Sequence, residues 1–559
     1  MERQNFFVRK FFFRREIKKK SKLKIFLLSF LFLLLIFTIP FWQIFFSEFR
    51  FLLPYSPGFL RNFSGLIIFQ NNAELRPGGG FLTAFAVVEI KNGKLDLQIF
   101  DSYAVTDPPA KINPPEAIEK FFSLNPKFSG WTFRDANFSE NFPNSAEKVI
   151  EFLKFDERFA EKNFDAVVAV NFSTIENFLQ KFGATENFSA ENIFEALQIA
   201  TKNITLNSEQ DFKNRKNILK NLATEIFGKI HFWNMGKIIN FSEQELSQKN
   251  IQIFFSKIKL QQKILEKNWG GNLPNNNFFA VILANLGAKK SDRFIRRQIF
   301  SDINVDPKGI VSEKFKIELF NRTQKGILSD QGNYFLKIWR PKGTKISGKN
   351  STNFKNYSDF RGEVFESYFQ ISPGEEKIIT VDFVLPRKWK IGENYNYNWI
   401  SQSGAPSDFF ATFSAPGNQK IKISGCQNIK NHENSAFCQQ NFSENFSISA
   451  KLEADSLPPI LEFVDWKNDQ EILFHFSEPL KDFAEDQEKI EKSFVFSCGQ
   501  KKFIPQKMWH NPEELRQILV IFDQNIRPKI TTEFCQFKIL GIDIFENSAE
   551  INGNLRVFD

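Results

Sequence analysis

The chain has 559 residues but only 3 methionines, 4 histidines and 4 cysteines. His231, His432, His475 and His510 never fall at metal-ligand spacing, which leaves them as single structural or surface histidines. No Cys-x-x-Cys pair occurs, and this argues against a dithiol redox centre or a close-paired zinc knuckle. The His-Glu-x-x-His, Gly-x-Ser-x-Gly and Walker A patterns are missing as well. A His-metal hydrolase, a triad esterase and a P-loop NTPase are therefore disfavoured.

Net positive charge is also scarce outside one segment. The formal net charge is +9, yet residues 2–24 hold ten Lys or Arg against Glu2 and Glu16, which is +8. The remainder is close to neutral and offers no basic field for a phosphate backbone, so nucleic acid is not an expected partner.

Residues 25–47 carry no charge at all and consist mostly of Phe, Leu and Ile. As a helix they would rise about 35 Å, enough for a hydrocarbon core of roughly 30 Å. With basic residues 1–24 as a cytoplasmic tail, the expectation is a single-pass cell-membrane protein, anchored in lipid, with its bulk extracytoplasmic. A cleaved signal peptide is disfavoured, because no small-x-small pair follows the apolar run. All four cysteines lie beyond it, as an oxidising compartment permits. Their spacing suggests Cys426 with Cys438 and Cys498 with Cys535, among the three pairings four cysteines allow.

Phenylalanine is abundant, at 71 residues, so a Phe stripe here reads as core. An apolar run ends in Gln70-Asn71-Asn72 and leads through Glu74-Leu75-Arg76-Pro77 to Gly78, Gly79 and Gly80. A strand candidate, 81–90, and the Asn92-Gly93 turn follow. Three glycines with Arg76 suit an anionic head group; alternatively Arg76 pairs with Glu74 or Asp101 in a tight loop. Asp101, Asp107 and Asp135 are carboxylates that suit Mg²⁺, although their spacing is irregular. Helices are expected over about 143–155, 173–182 and 211–227, the last bearing Arg215, with a strand at 164–170. Residues 242–265 read as one helix, with Ser242 and Glu245 as its capping box. Lys290 and Asp292 could order a loop or bind an anion, or form a plain surface charge cluster.

Residues 61–345 resemble the bacterial domain of unknown function 4012 family. The resemblance rests on Gln70 through Phe81, on Arg134-Asp135-Ala136-Asn137 before Phe142-Pro143, on 165–170 and on Lys290-Ser291-Asp292. Trp339-Arg340-Pro341-Lys342-Gly343 adds to it, and Gln402-Ser403-Gly404 matches loosely. Where this chain has Gly78, that family more often has Thr. The family implies no reaction. A looser resemblance is to the LytR–CpsA–Psr domain, which transfers polyprenyl-pyrophosphate-linked glycopolymers to the cell wall. It implies Arg76 and Arg215 as phosphate ligands and Asp101 or Asp107 on a metal, with a cell-wall polymer or polyprenyl-phosphate lipid as partner. The Arg-Ser-Asp-Thr signature of that group is absent.

From 311 onward, alternating runs between Gly, Pro and Asn turns predict β-structure. The expected layout is a transmembrane helix, a mixed-sheet α/β domain over 61–310, a β-rich sandwich-like domain over 311–424 and a linker with a small disulfide loop over 425–455. Residues 456–559, with Phe476-Ser477-Glu478-Pro479, resemble a bacterial immunoglobulin-like module. The leading expectation is a membrane-anchored cell-envelope protein with a structural, display or binding role. Glycopolymer handling is the alternative.

Overall fold

The computed structural model describes residues 47–556 except 107–111, 123–129, 203–208, 288–289, 324–331, 349–351, 417–418, 433, 455–457, 479, 482–487, 489–491, 493, 511–515, 527–533 and 543–547. The chain divides into two units. One comprises residues up to 272 together with 284–286 and 402–405; the other holds the rest.

The first unit is built on a five-stranded mixed sheet in the order β3-β2-β1-β4-β5. Its strands are β1 (Asn62–Arg76), β2 (Gly79–Lys91), β3 (Lys94–Asp101), β4 (Ala166–Asn171) and β5 (Ile251–Phe255). β1 pairs antiparallel with β2 and parallel with β4. The helices are α1 (Ser56–Arg61), α2 (Glu116–Phe122), α3 (Phe142–Leu153), α4 (Phe172–Phe182), α5 (Ile193–Lys202), α6 (Glu209–Phe227), α7 (Met235–Ser247) and α8 (Ile258–Glu266). Pro143 opens α3, where a missing N–H costs nothing. Phe142, Ala146, Val149 and Phe152 recur at helical spacing and bury against Leu66, Ile68, Phe85 and Val167 of the sheet.

The helix expected over 242–265 is instead α7, β5 and α8. α7 starts seven residues before Ser242, whose hydroxyl donates to Ile238 O inside the helix. Lys249 at φ +57 ends that helix. The β-branched and aromatic run Ile251–Phe255 then pairs with β4, because sheet pairing uses those side chains better than a helix does.

In the second unit two seven-stranded sheets form a sandwich. Their orders are β10-β13-β8-β7-β15-β18-β17 and β11-β12-β9-β6-β14-β19-β16. The strands are β6 (Phe279–Asn285), β7 (Ile295–Val305), β8 (Val311–Asn321), β9 (Gly332–Arg340), β10 (Lys345–Ser347), β11 (Lys355–Ser358), β12 (Glu363–Ile371), β13 (Glu376–Val384), β14 (Asn394–Ile400), β15 (Ser407–Ser414), β16 (Lys420–Ser424), β17 (Asn428–Asn431), β18 (Ser435–Phe442) and β19 (Phe446–Glu453). The stretch 425–455, read above as a linker, thus supplies three sandwich strands. Two four-stranded sheets follow, sharing a core of Ile472, Phe474, Phe496, Val520, Phe537 and Ile539. The disulfides are Cys426–Cys438 and Cys498–Cys535, as the spacing suggested.

The transmembrane expectation is corrected. Among the described residues no helix is long and apolar enough to cross a membrane. The longest, α6, has 19 residues but carries charges along its length, including Glu209, Asp211, Lys213, Arg215 and Lys220. Apart from Ser47, the span expected over 25–47 lies outside the described residues, as does the basic tail. Withdrawn with it are the membrane-anchored function, the lipid partner through that anchor and the single-pass localisation. What stands is a multidomain protein with a mixed α/β part and several β-sheets.

Candidate functional site

The glycine-rich loop joins β1 to β2 at the start of the region that carries the resemblance. The β1–β2 register shifts between Asn71 and Leu75, so residues 72–74 leave the ladder before Arg76 pairs with Gly79. This bulge brings Glu74 beside the guanidinium of Arg76, at 3.0 Å from Nη2.

Arg76 is 1% exposed. Its Nε donates to Asp135 at 2.6 Å, and Nη1 donates to the carbonyl oxygens of Leu75 at 3.0 Å and Asn285 at 2.8 Å. Burial opposes the charge, but Asp135 and Glu74 outweigh it and hold the guanidinium above its ordinary pKa. The fork is thus engaged inside the protein. Of the alternatives read from the sequence, pairing with Glu74 is present, and the second carboxylate is Asp135.

Gly78, Gly79 and Gly80 are buried. Gly78 N–H donates to Asn137 O at 3.1 Å, and Asn137 Nδ2 donates to Gly80 O at 2.7 Å. Gly79 sits at φ +139, and a Cβ there would lie 1.9 Å from Gln70 Oε1 and 3.0 Å from Asn171 Oδ1. At Gly80 a Cβ would meet the Asn71 backbone at 2.2 Å. These glycines permit close packing, and the Arg-Asp-x-Asn motif is what packs on them: Asp135 holds Arg76 and Asn137 holds the loop.

A third motif closes the assembly. Gln402 Nε2 donates to Arg76 O at 3.1 Å, and Ser403 Oγ donates to Lys249 O at 2.6 Å. Asn171 Nδ2 donates to Ser403 Oγ at 2.9 Å, while Asn72 Nδ2 reaches Gly404 O at 3.4 Å. Asn72 Oδ1 also accepts from Ser173 N in the first turn of α4. This lies beyond the carboxyl ends of the parallel pair β1 and β4, the usual ligand position of open α/β sheets. Here the chain's own polar groups occupy it.

The remaining predicted residues fall elsewhere. Asp101 is buried, and its Oδ1 accepts from Tyr103 N, capping a short 3-10 turn. Asp107 lies outside the described residues, and so does the side chain of Arg215, which is carried on α6. Among the described residues no group of three or more His, Cys, Asp or Glu is placed to hold a metal ion. Lys290, in the second unit, is half-buried in a turn. Beside it Ser291 Oγ lies 3.1 Å from Tyr334 Oη, and Asp292 pairs with buried Arg297 at 3.3 Å.

A buried ion pair of the sandwich holds Arg340, which the sequence placed only within a family motif. Arg340 of β9 is fully buried and binds Glu313 of β8 in bidentate fashion, Nε to Oε2 at 2.8 Å and Nη2 to Oε1 at 3.1 Å. Rings of Phe315 and Phe383 lie 4.5 and 4.9 Å from its guanidinium carbon. Tyr397 Oη and Ser301 Oγ both donate to Glu313 Oε1, at 2.5 and 2.6 Å. The signal was present: Val311, Glu313, Phe315, Ile317 and Leu319 share one strand face, so a carboxylate stands in an apolar row.

No curated protein matches the chain in sequence. Among solved structures, a putative nutrient binding protein of Legionella pneumophila is similar at 9% identity, with 28% of this chain and 67% of that one covered and a TM-score of 0.20. The Bacillus subtilis transcriptional regulator yvhJ gives 13% identity, 38% and 77% coverage and 0.21. Bacillus subtilis TagV gives 12%, 38% and 80%, and 0.22. Likeness at those TM-scores assigns neither fold nor function. Residues 63–198, which hold the Arg76 loop and its Asp135 and Asn137 partners, match the family described as "Protein of unknown function (DUF4012)", and the chain contains a domain of that family.

Proposed function

We propose that this chain is an exported multidomain protein with a structural, display or binding role, in which the Arg76 assembly braces the α/β unit. One observation carries the reading: a guanidinium that is 1% exposed and bonded to Glu74, Asp135, Leu75 O and Asn285 O is already committed within the fold. Two disulfides support an oxidising compartment. In this reading the terminal pair of four-stranded sheets resembles an immunoglobulin-like spacer.

Transfer of a polyprenyl-pyrophosphate-linked glycopolymer would need Arg76 to trade two carboxylates for a pyrophosphate. Such an exchange would leave buried Glu74 and half-buried Asp135 without their cation, a loss of several kcal/mol. The test is titration of the full chain with polyprenyl pyrophosphate, with and without Mg²⁺, beside Arg76→Lys. No Arg76-dependent saturable binding is expected. Saturable binding by the wild type that a folded Arg76→Lys variant loses would overturn the reading.

A further inference from the structure

Glu245, expected to complete a capping box, stands instead in the interface between α7 and α4. It is 1% exposed. Oε1 accepts from Asn177 Nδ2 at 2.9 Å, while Oε2 is buried with no hydrogen-bond partner among the described residues. Phe178 and Phe182 of α4 pack edge-on against Phe241 of α7 alongside it.

We propose that Glu245 is a proton-operated latch: its carboxyl takes up a proton inside the α4–α7 interface as pH falls, and the two helices loosen as that proton leaves. Ionised, the carboxyl keeps Oε2 buried without a hydrogen bond among the described residues. The neutral acid removes that cost. Burial is the main cause pushing the carboxyl above its ordinary pKa, against the opposing pull of the neighbouring Asn177, Thr174 and Asn250 side chains and of the Lys181 charge. Lys181 of α4 has its ammonium over the Phe241 ring. The other charged residues on the packed elements are Glu176 of α4, Lys237 and Glu243 of α7, and Lys249 at the α7 end.

The latch bears on the Arg76 assembly through Asn250, whose carbonyl accepts from Asn171 N and Thr174 Oγ1 and whose Oδ1 accepts from Ser173 Oγ. Looser helices would therefore loosen the polar closure at the end of β4.

The experiment is amide hydrogen exchange of the full chain, corrected for intrinsic pH dependence, over α4 and α7. Wild-type protection should fall at least about fivefold between about pH 5 and about pH 8, and Glu245→Gln should show no such fall. The same profile in both proteins would overturn the proposal. Asn177→Leu is a second arm that removes the donor favouring the carboxylate. It should move the wild-type transition to higher pH, and an unmoved transition would equally overturn the latch.

Discussion

Arginines 76 and 340 have a common fate: each is buried, each holds carboxylate, and each fastens elements distant in sequence. Removing one partner of such a pair leaves an unpaired charge, whereas replacing both with apolar groups can be close to neutral. Glu313→Gln should therefore cost about 3–5 kcal/mol in chemical unfolding, and Arg340→Met with Glu313→Leu should cost less than the single change. A double variant worse than Glu313→Gln would show that Tyr397 and Ser301, not the ion pair, hold the two sheets. Asp156 supplies a pH-dependent case. Its hydrogen bonds from Arg158 hold its carboxyl down to about 2, against the opposing effect of burial, with Thr106 N–H adding to the depression. Because the folded pKa is below the unfolded one, its stabilisation is complete above the unfolded value near 3.8 and disappears as pH falls through about 2. That contribution is on the order of 2 kcal/mol. Unfolding followed between about pH 5 and about pH 2 should decline more steeply for wild type than for Asp156→Asn.

At the scale of elements, the loop between β1 and β2 depends on a conformation that only glycine adopts easily. Gly79→Ala should destabilise by well over about 1 kcal/mol, since it adds an unfavourable φ to a collision with Gln70. Thermal unfolding would measure this, and an unchanged midpoint would mean the loop relaxes freely. Strands β1, β2 and β4 and helices α3, α4 and α6 of the first unit were legible because their periodicity is local: α3 and α4 begin and end within two residues of the expected bounds. The break at Lys249 was not. Residues 242–265 keep helical spacing, and only the neighbouring β4, about eighty residues earlier, makes Ile251–Phe255 a strand. The partners of Arg76 were hidden for the same reason. Glu74 is two residues away and could be guessed, but Asp135, Asn285 and Gln402 reach it through folding alone. Glu313 differs, since its place in an apolar row announced a buried charge.

For the whole molecule, the two disulfides belong to the second unit, within the β-rich half of the chain. Their sequence separations are 12 and 37 residues. By loop closure alone they contribute about 3 and about 4 kcal/mol. Reduction should lower the unfolding temperature of the terminal module and expose its shared core, measured by calorimetry with and without a thiol reductant; identical scans would show that the cores suffice. The central claim is that the Arg76 motif is a brace of the α/β unit, and chemical unfolding of full-length Arg76→Ala against wild type tests it most directly. The brace predicts a loss of about 3–5 kcal/mol. A variant within about 0.5 kcal/mol of wild type would contradict it, because a surface-like arginine kept for a ligand is the group whose removal a fold tolerates.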